Sequence, residues 1–407
     1  MRALKFLGVT VGVLALVFFI VFGLNLDALV TLSKNSDDLK EGQNWIPQTS
    51  SLKGLTEYIG ANPKRVSLVS RSGTNPDTTI YYGADKPHTM GTLSNFFLIA
   101  TYARLVESDS LDPNQPISFE KTDRYQLPYT NSSNHSEAKN AMKSSDDYLG
   151  NHKVPLHTLI QNMIIYNDLA ISDFLYYKLG RAKIQQTYQL LSIKHTDQPL
   201  PFFGLYITLN PVLINTSFAS HFKMLQELSE PEFRKKVLTN AHHFINDAAY
   251  RAKVVQSFSD TKGWPMEFTK RRDALSLFPQ TTAHELSDLM IRLQQDSLIS
   301  PKASQRIKDL MDWPYKRQRL ERNLASYGAL YDNRLGLTNG IDYGRSIYTH
   351  EPFGQAIFFD SLQVAFWFHM SSSGMHQDYQ QRLIWDPALR ESTTREVNRT
   401  NNTYESL

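Results

Sequence analysis

The stretch from Phe96 to Leu105, FFLIATYARL, is almost wholly apolar. A helix without a polar face has to be enclosed by other elements, so this stretch predicts a buried helix inside a large domain. A chain of 407 residues is long enough to build a core around it. Thr92, Ser94 and Asn95 stand where the helix begins. Ser94 has the residue type of a helix cap, yet some hydrolases hold their nucleophile at the start of such a helix.

The chain also opens on a long apolar run, which extends without a charged residue from Phe6 to Asn25 and follows Arg2 and Lys5. About twenty apolar residues suffice to cross a bilayer, and the positive flank is expected to stay in the cytoplasm. We therefore predict a single membrane anchor through residues 6–25, with the main domain periplasmic or extracellular. A cleaved signal peptide is the alternative, although the run is long and no A-x-A-like site follows it.

Composition excludes several classes of function. The net charge is only +3 and no concentrated Lys/Arg face stands out, so nucleic-acid binding is not predicted. The absence of cysteine excludes disulfides, thiolate metal sites and a cysteine nucleophile. His242 and His243 lack the H-E-x-x-H spacing of a zinc site, and no phosphate-binding glycine loop is present, so neither metal nor cofactor is predicted.

The order of apolar patterns predicts an α+β fold: an antiparallel sheet from both chain ends flanked by helices, plus an all-helical region. Residues 50–62 predict a short helix, and residues 120–152 a surface loop. Helical patterns of apolar residues cover 154–180, with a break at Tyr166–Asn167–Asp168, and 281–313. Residues 205–275 show no clean hydrophobic period. Strands are predicted in 65–73, 78–87, 334–341, 354–361 and 362–370.

These patterns divide the chain into four parts. We expect an anchor at 1–25, a polar linker at 26–50, a domain at 51–375 and a polar C-terminal tail at 376–407.

Four segments in this order resemble the penicillin-recognising serine hydrolases, also called penicillin-binding-protein-like, and class A β-lactamases most closely. They are PHTMGTLSNFFLIATYARLVESDSLDPNQPI (87–117), MIIYNDLAISDFLYYKLG (163–180), the helix pair at 281–314 and LGLTNGI (335–341). The resemblance covers about residues 52–370. It implies the serine β-lactamase-like fold and a bacterial envelope.

The catalytic groups of that family are a serine, a lysine at i+3, an S-D-N segment, a K-T-G strand and, in class A enzymes, a loop glutamate. The resemblance places the serine at Thr92 and the lysine at Asn95. It places the S-D-N motif at Asn167, Asp168 and Leu169. It places the K-T-G motif at Thr338, Asn339 and Gly340, with neighbouring Leu337 as the other position for the lysine. The loop glutamate falls near Thr208. At every position where the family has a residue that transfers a proton, this chain has a residue that cannot transfer one. The hydrolytic machinery is therefore predicted to be absent. Asp168, the one acid kept, is expected to hold its own loop.

Other registers do not restore the machinery. If Ser94 were the nucleophile, the lysine position would be Phe97. An S-x-x-K runs from Ser136 to Lys139, in a polar stretch that we interpret as a chance match. An unrelated Ser/His/Asp triad would be recognised by geometry alone, and no G-x-S-x-G marks one.

The chain is longer than a typical class A enzyme, and the excess falls in about 213–275. This insertion holds Tyr250, Trp264 and Phe268 among several Lys and Arg residues. Aromatic and arginine side chains carry most of the binding energy at interfaces, so these three are candidates for docking a protein partner. A solvated elaboration of the fold is the alternative.

Together these features predict a membrane-anchored, extracytoplasmic β-lactamase-like protein that is catalytically inactive. It would act by binding, as a subunit of an envelope complex or as a receptor for a peptidoglycan-type ligand. The alternative is an active serine/threonine hydrolase acting on β-lactam or D-Ala-D-Ala-like amides. A base within about 2.6–3.2 Å of the Thr92 hydroxyl would distinguish the two.

Overall fold

The computed structural model describes residues 36–264, 266–312 and 323–405, with side chains up to residue 400. Its main sheet has the order β2-β1-β9-β8-β7, with every neighbouring pair antiparallel. The first strand pairs with the last, Val66 opposite Phe359, so the predicted sheet from both chain ends is confirmed. The strands are β1 Val66–Ser72, β2 Ile80–Tyr82, β7 Leu324–Asp332, β8 Asn339–Ser346 and β9 Pro352–Phe359.

Two short ribbons lie outside this sheet. Strands β3 Pro87–Thr89 and β6 Gln280–Thr282 form one, and β4 Pro116–Ser118 and β5 Lys153–Pro155 form the other. Each ribbon joins segments that are distant in sequence.

Helices occupy most of the remaining described chain. In chain order they are α1 Ser36–Gln48, α2 Leu52–Ala61, α3 Asn95–Glu107, α4 Phe119–Asp123, α5 Ser132–Lys143, α6 Leu156–Tyr166, α7 Leu169–Leu179, α8 Arg181–Leu191, α9 Phe202–Thr208, α10 Phe218–Gln226, α11 Glu230–Asn246, α12 Ala248–Asp260, α13 Phe268–Ala274, α14 Ala283–Gln294, α15 Pro301–Asp312, α16 Val364–Ser373, α17 Met375–Trp385 and α18 Pro387–Glu405.

Helix α3 is the buried helix that its apolar sequence predicts. Phe96, Ile99 and Tyr102 are fully buried, and α7, α8 and α15 pack around the helix. Arg104 is accommodated because its guanidinium reaches the end of α8, where it donates to the Thr187 hydroxyl and the Lys183 carbonyl. The first turn of α3 is thereby held in the centre of the domain.

Helix α14 covers one face of the sheet, and Gly354 on β9 permits the close approach. A Cβ at Gly354 would lie 2.2 Å from the backbone nitrogen of Ile291. Because that atom is backbone, it cannot yield as a flexible side chain would. The glycine therefore fixes how closely helix and sheet pack.

The region expected to lack a clean period builds a second core. Helices α9, α11 and α12 enclose Phe203, Val237, Phe244 and Phe258, all buried. Several of these helices are short and share their apolar residues with neighbours, so no single segment displays a full helical period.

Two local predictions are wrong. Residues 362–370, predicted as a strand, begin helix α16, because a short apolar aromatic run does not distinguish a strand from a helix. Residues 120–152, predicted as a surface loop, contain α5, which buries only His135, Ala138 and Met142 at helical spacing. Its other positions face solvent and give the segment its polar composition.

The predicted polar tail is helical where the structure describes it. Helices α17 and α18 bury Tyr379, Leu383 and Val397 against the rest of the domain. The Tyr379 hydroxyl lies 3.0 Å from Thr56 on α2 and 2.6 Å from Thr393.

The predicted anchor, residues 6–25, lies outside the described residues, as does the first part of the linker. Among residues 36–264, 266–312 and 323–405, no helix is long and apolar enough to span a bilayer. The rest of the linker forms α1, which packs along α16.

Candidate functional site

The candidate site begins at the 3-10 turn Gly91–Ser94, which leads into α3. The backbone N–H of Thr92 donates to Asp332 Oδ2, at the end of β7, over 2.7 Å. Gly91 has a φ of +54°, and a Cβ there would lie 1.9 Å from the same carboxylate oxygen. Only glycine fits this position, so the turn and the sheet edge meet at fixed distance.

Neither of the two residues at the start of α3 supplies a base. The Thr92 hydroxyl and the Asn95 side-chain oxygen are both buried, and neither has a hydrogen-bond partner among the described residues. An amide does not accept a proton at physiological pH. The pair therefore offers a hydroxyl and an amide to the site, without a proton acceptor of its own.

Asp332 is the nearest acid to Thr92, and the sequence analysis did not identify it. Burial raises the pKa of its carboxyl, while the Arg334 charge and the N–H and hydroxyl of Thr92 oppose that rise. The hydroxyl is close enough to affect this pKa, but it makes no aligned hydrogen bond. The Thr92 main chain thus engages Oδ2 of Asp332, whereas Oδ1 is buried without a hydrogen-bond partner among the described residues and lies 3.4 Å from the Arg334 Nε.

Ser94 is not a nucleophile candidate in this geometry. Its hydroxyl donates to the Gly91 carbonyl over 2.8 Å and is buried. Its side chain also makes no capping hydrogen bond to α3, so the expected cap is absent at this position. The serine holds the 3-10 turn closed.

The second motif lies opposite this turn, between α6 and α7. Asn167 ends α6 in the left-handed conformation, and its carbonyl accepts from Arg334. Asp168 caps α7 by accepting from the backbone N–H groups of Ala170 and Ile171 at 2.8 and 3.0 Å. Asp168 therefore holds its loop, as the sequence predicts.

Asp168 also belongs to a buried charge network centred on His135. The Nδ1 of His135 lies 2.7 Å from Asp168, and its Nε2 lies 2.7 Å from Asp123, which also accepts from Lys139. A carboxylate can only accept, so both ring nitrogens must donate and the imidazole is protonated. Burial lowers the pKa of His135, but the hydrogen bonds and charges of the two aspartates outweigh it, and the net pKa is raised.

Residues of the third motif are engaged in structural contacts and do not line the cavity beside Thr92. Thr338 and Asn339 are fully buried, and the Asn339 amide bridges Thr89 and Phe359. The Gly340 carbonyl accepts from Gln380. None of the three is among the described residues that line the space beside Thr92. The strand whose end lines this space is β7, through Leu330 and Tyr331.

Two connected lobes form a cleft at the junction of these elements, and both are lined by Asn134, Asn167 and Asn333. The Thr92 lobe, about 340 Å³, is lined by Thr92, Asn95, Tyr166, Tyr331 and the exposed Glu137. The aromatic lobe, about 480 Å³, is lined by Tyr129, Tyr206, Trp264 and Trp367, with Lys262, Arg271 and Arg334 between them. The cleft is therefore open and carries polar and charged groups.

The insertion lines the cleft without closing it. It contributes Lys262, Trp264 and Arg271 to the aromatic lobe. Trp264 is only 3% exposed and packs edge-on against Tyr206 at 4.9 Å, so its ring belongs to the core and not to an open docking surface. Phe268 contacts Trp367 at 5.2 Å, whereas Tyr250 contacts His243 at 5.7 Å.

The remaining sequence candidates have structural contacts. The Thr208 hydroxyl accepts from Asn240, and Thr208 does not line either lobe as described. Ser136 and Lys139 lie on helix α5 and not in a loop, and Lys139 donates to Asp123 in the His135 network.

Asp332, Asn333 and Arg334 are candidate site residues that the sequence did not point to. Their signal is the run YDNR at the end of the strand LASYGALYD, which places three polar residues at a strand terminus. Polar residues grouped at the end of an apolar strand are candidates for a site.

Comparison with known proteins identifies a family. The model of the family described as "Beta-lactamase enzyme family" matches residues 51–336. Similar solved structures include the beta-lactamase from Chitinophaga pinensis DSM 2588, which is 12% identical in sequence; the match covers 84% of this chain and 98% of that chain, with a TM-score of 0.48. The beta-lactamase from Sphaerobacter thermophilus DSM 20745 is 10% identical, and the match covers 85% of this chain and 97% of that chain, with a TM-score of 0.47. The structure of PBP-A is 11% identical, and the match covers 88% of this chain and 97% of that chain, with a TM-score of 0.43. No curated protein matches the sequence.

The His135 network predicts that stability falls at alkaline pH. The raised folded-state pKa exceeds the value of about 6.5 expected in the unfolded chain, so the stabilisation is complete below about pH 6.5. It is lost as pH rises through the folded-state pKa. Denaturant titrations of the full chain between pH 6 and 9 measure this decline in the free energy of unfolding.

His135→Gln is the informative variant, because it leaves two carboxylates facing a neutral amide. We expect it to lose about 3 kcal/mol at pH 6 and to flatten the pH dependence above it. His195→Gln, at an exposed position, is the matched control and should retain the wild-type profile. A wild-type profile that is flat from pH 6 to 9 would contradict the protonated imidazole.

Proposed function

The chain belongs to the beta-lactamase enzyme family, and from that premise we propose that it binds a ligand in the family's cleft without hydrolysing it. The observation that carries the proposal is the Thr92 hydroxyl, which has no hydrogen-bond partner among the described residues and stands where the sequence resemblance places the reactive serine. A hydroxyl becomes a nucleophile only when a neighbouring base removes its proton. Asn95, at i+3, cannot do so.

The open cleft supports binding as the retained activity. Its asparagines carry both donors and acceptors, and the oxygens of Asn95 and Asn333 are buried without partners. Buried polar atoms without partners cost free energy that a bound ligand recovers. A peptidoglycan-type ligand, or a protein partner in an envelope complex, is the class of molecule that we propose for this cleft.

A membrane anchor at residues 6–25 is part of the proposal. It would place the N-terminus in the cytoplasm and the β-lactamase-like domain in the periplasm or outside the cell. The apolar run and its positive flank support this arrangement.

An active hydrolase is the second candidate, and Asp332 is the observation that favours it. Its carboxylate contacts the Thr92 main chain, and its pKa is raised by burial, as that of a general base often is. A small rotation of the Thr92 side chain would let the hydroxyl donate to it. In that case Thr92 would attack a β-lactam or D-Ala-D-Ala-like amide, with Asp332 as the base.

Intact-mass spectrometry after incubation with benzylpenicillin separates the two candidates. For the full chain in neutral detergent we expect no mass increase at millimolar penicillin, because no base activates Thr92. Thr92→Val and Asp332→Asn are the diagnostic variants, and circular dichroism verifies that each is folded. An adduct on the wild type that both variants lose would establish the hydrolase instead.

The anchor is tested by alkaline extraction of membranes from cells that produce the full chain. We expect the protein to stay in the membrane pellet at its full mass, since an apolar span resists extraction. A deletion of residues 6–25 should move it to the soluble fraction. A soluble wild-type protein shortened at its N-terminus would identify a cleaved signal peptide.

A further inference from the structure

The aromatic lobe carries an excess of positive charge. Lys262, Arg271 and Arg334 line it, and none of its described lining residues is acidic. Arg271 donates to the carbonyls of Trp264 and Met266, so its charge has no carboxylate partner among the described ion pairs. Arg334 faces Asp332 at 3.4 Å, but that carboxylate is held beneath Thr92.

Tyr206 lines the same lobe as the two arginines. Burial raises the pKa of its hydroxyl, the charges of Arg334 and Arg271 act to lower it, and the charge of Asp332 acts to raise it. Both guanidinium groups thus border one cavity. Guanidinium donors match the oxygens of phosphates and carboxylates.

The backbone around this lobe is strained. Tyr129, Lys262 and Leu335 have φ values of +57°, +49° and +49°, in the left-handed region that side chains of this size avoid. Such conformations are unfavourable for these side chains, and strain of this kind collects at ligand sites. The buried indole N–H of Trp264 also has no partner among the described residues. The lobe is thus built at a cost that packing alone does not explain.

The position of the lobe relative to the N-terminal segment indicates where its ligand comes from. Asp38, on α1, accepts from Arg272 at 2.6 Å and from the Val364 N–H at 2.8 Å. Arg272 follows Arg271 in the chain, and Trp367 of the lobe lies on the helix that α1 packs against. Only residues 26–35 separate α1 from the proposed anchor, a span of at most about 35 Å.

An aromatic side chain stands exposed beside this contact. Phe368 follows Trp367 in α16 and is 61% exposed. Exposed aromatic rings next to basic residues are typical of surfaces that lie against lipid headgroups.

We propose that the aromatic lobe binds the phosphate of an anionic lipid headgroup at the surface of the membrane that anchors the chain. Lys262, Arg271 and Arg334 would surround the phosphate, and the half-buried ring of Trp367 would contact the apolar part of the headgroup region. The inference rests on the proposed binding function and assigns to the aromatic lobe a lipid ligand in addition to the peptidoglycan-type or protein ligand proposed for the cleft. It also assigns a role to the insertion, which supplies two of the three cations.

The test uses the full chain in micelles of dodecyl maltoside, with tryptophan fluorescence as the readout because Trp264 and Trp367 line the lobe. The probe is phosphatidylglycerol added to the micelles, compared with phosphatidylcholine and with soluble glycerol 3-phosphate. We expect a saturable change with phosphatidylglycerol and none with phosphatidylcholine. Equal responses to both lipids would overturn a charge-selective site, and saturation by glycerol 3-phosphate at the same concentration would overturn the lipid as its source.

Charge variants locate the binding. Lys262→Gln with Arg334→Gln should weaken phosphatidylglycerol binding about 30-fold, since each basic residue near an anionic headgroup contributes roughly 5-fold. Lys53→Gln with Arg395→Gln removes the same charge at positions 85% and 73% exposed and should bind as the wild type does. Should the first pair fail to fold, Lys262→Gln alone, at an exposed side chain, is expected to weaken binding about 5-fold. Equal weakening by the lobe and control variants would overturn the site.

This result is independent of the penicillin experiment. A chain that is acylated by penicillin and also binds phosphatidylglycerol through Lys262 and Arg334 would overturn the proposed non-hydrolytic function and leave this inference standing. A chain that is not acylated and ignores phosphatidylglycerol would overturn this inference alone.

Discussion

The hydrogen bond from the Thr92 N–H to the buried carboxylate of Asp332 joins the two halves of the domain at the site. It ties the first turn of a helix that is buried on all sides to the end of an edge strand. Gly91 makes this possible, because any side chain there would occupy the space of the carboxylate. The cleft, the Thr92 hydroxyl and Arg334 all take their positions from this contact.

The same contact explains why we regard the site as one for binding. A carboxylate engaged with a backbone N–H and screened by Arg334 is stabilised where it is, and Asn95 offers no alternative acceptor. On the opposite side of the cleft, the carboxylate of Asp168 is also engaged in structural contacts, because it caps α7 and pairs with His135. Asp332 and Asp168 hold structure beside this cleft, while Lys262 and Arg271 of the aromatic lobe lack carboxylate partners among the described ion pairs. That distribution of charge suits the capture of an anion better than the transfer of a proton.

The sequence predicted those parts of the fold that depend on burial alone. The apolar run at Phe96–Leu105 forms the central helix, and the outer patterns meet in one antiparallel sheet, because hydrophobic periodicity reports which faces are covered. It failed at residues 362–370, where an apolar aromatic run suits either element and only its packing against α1 makes it a helix. It failed also over α5, whose few buried positions are hidden among polar ones.

At the site, the residues next to Thr92 and Asp168 were predictable because they lie within continuous motifs. The third motif was not, since Thr338 to Gly340 resemble a strand motif in sequence but begin the neighbouring strand, buried away from the cleft. Asp332 and Arg334 act through contacts across more than 160 residues of chain, to Thr92 and Asn167. Such pairings depend on sheet register, which no local pattern reveals.

The most direct measurement for the central claim is a high-resolution crystal structure of the chain, examined at the Thr92 side chain. The account predicts that the Thr92 hydroxyl oxygen has no carboxylate oxygen within about 3.2 Å, while the Thr92 N–H keeps its hydrogen bond to Asp332. A hydroxyl that donates to Asp332 or Glu137 over about 2.6–3.2 Å would provide the missing base and contradict the account.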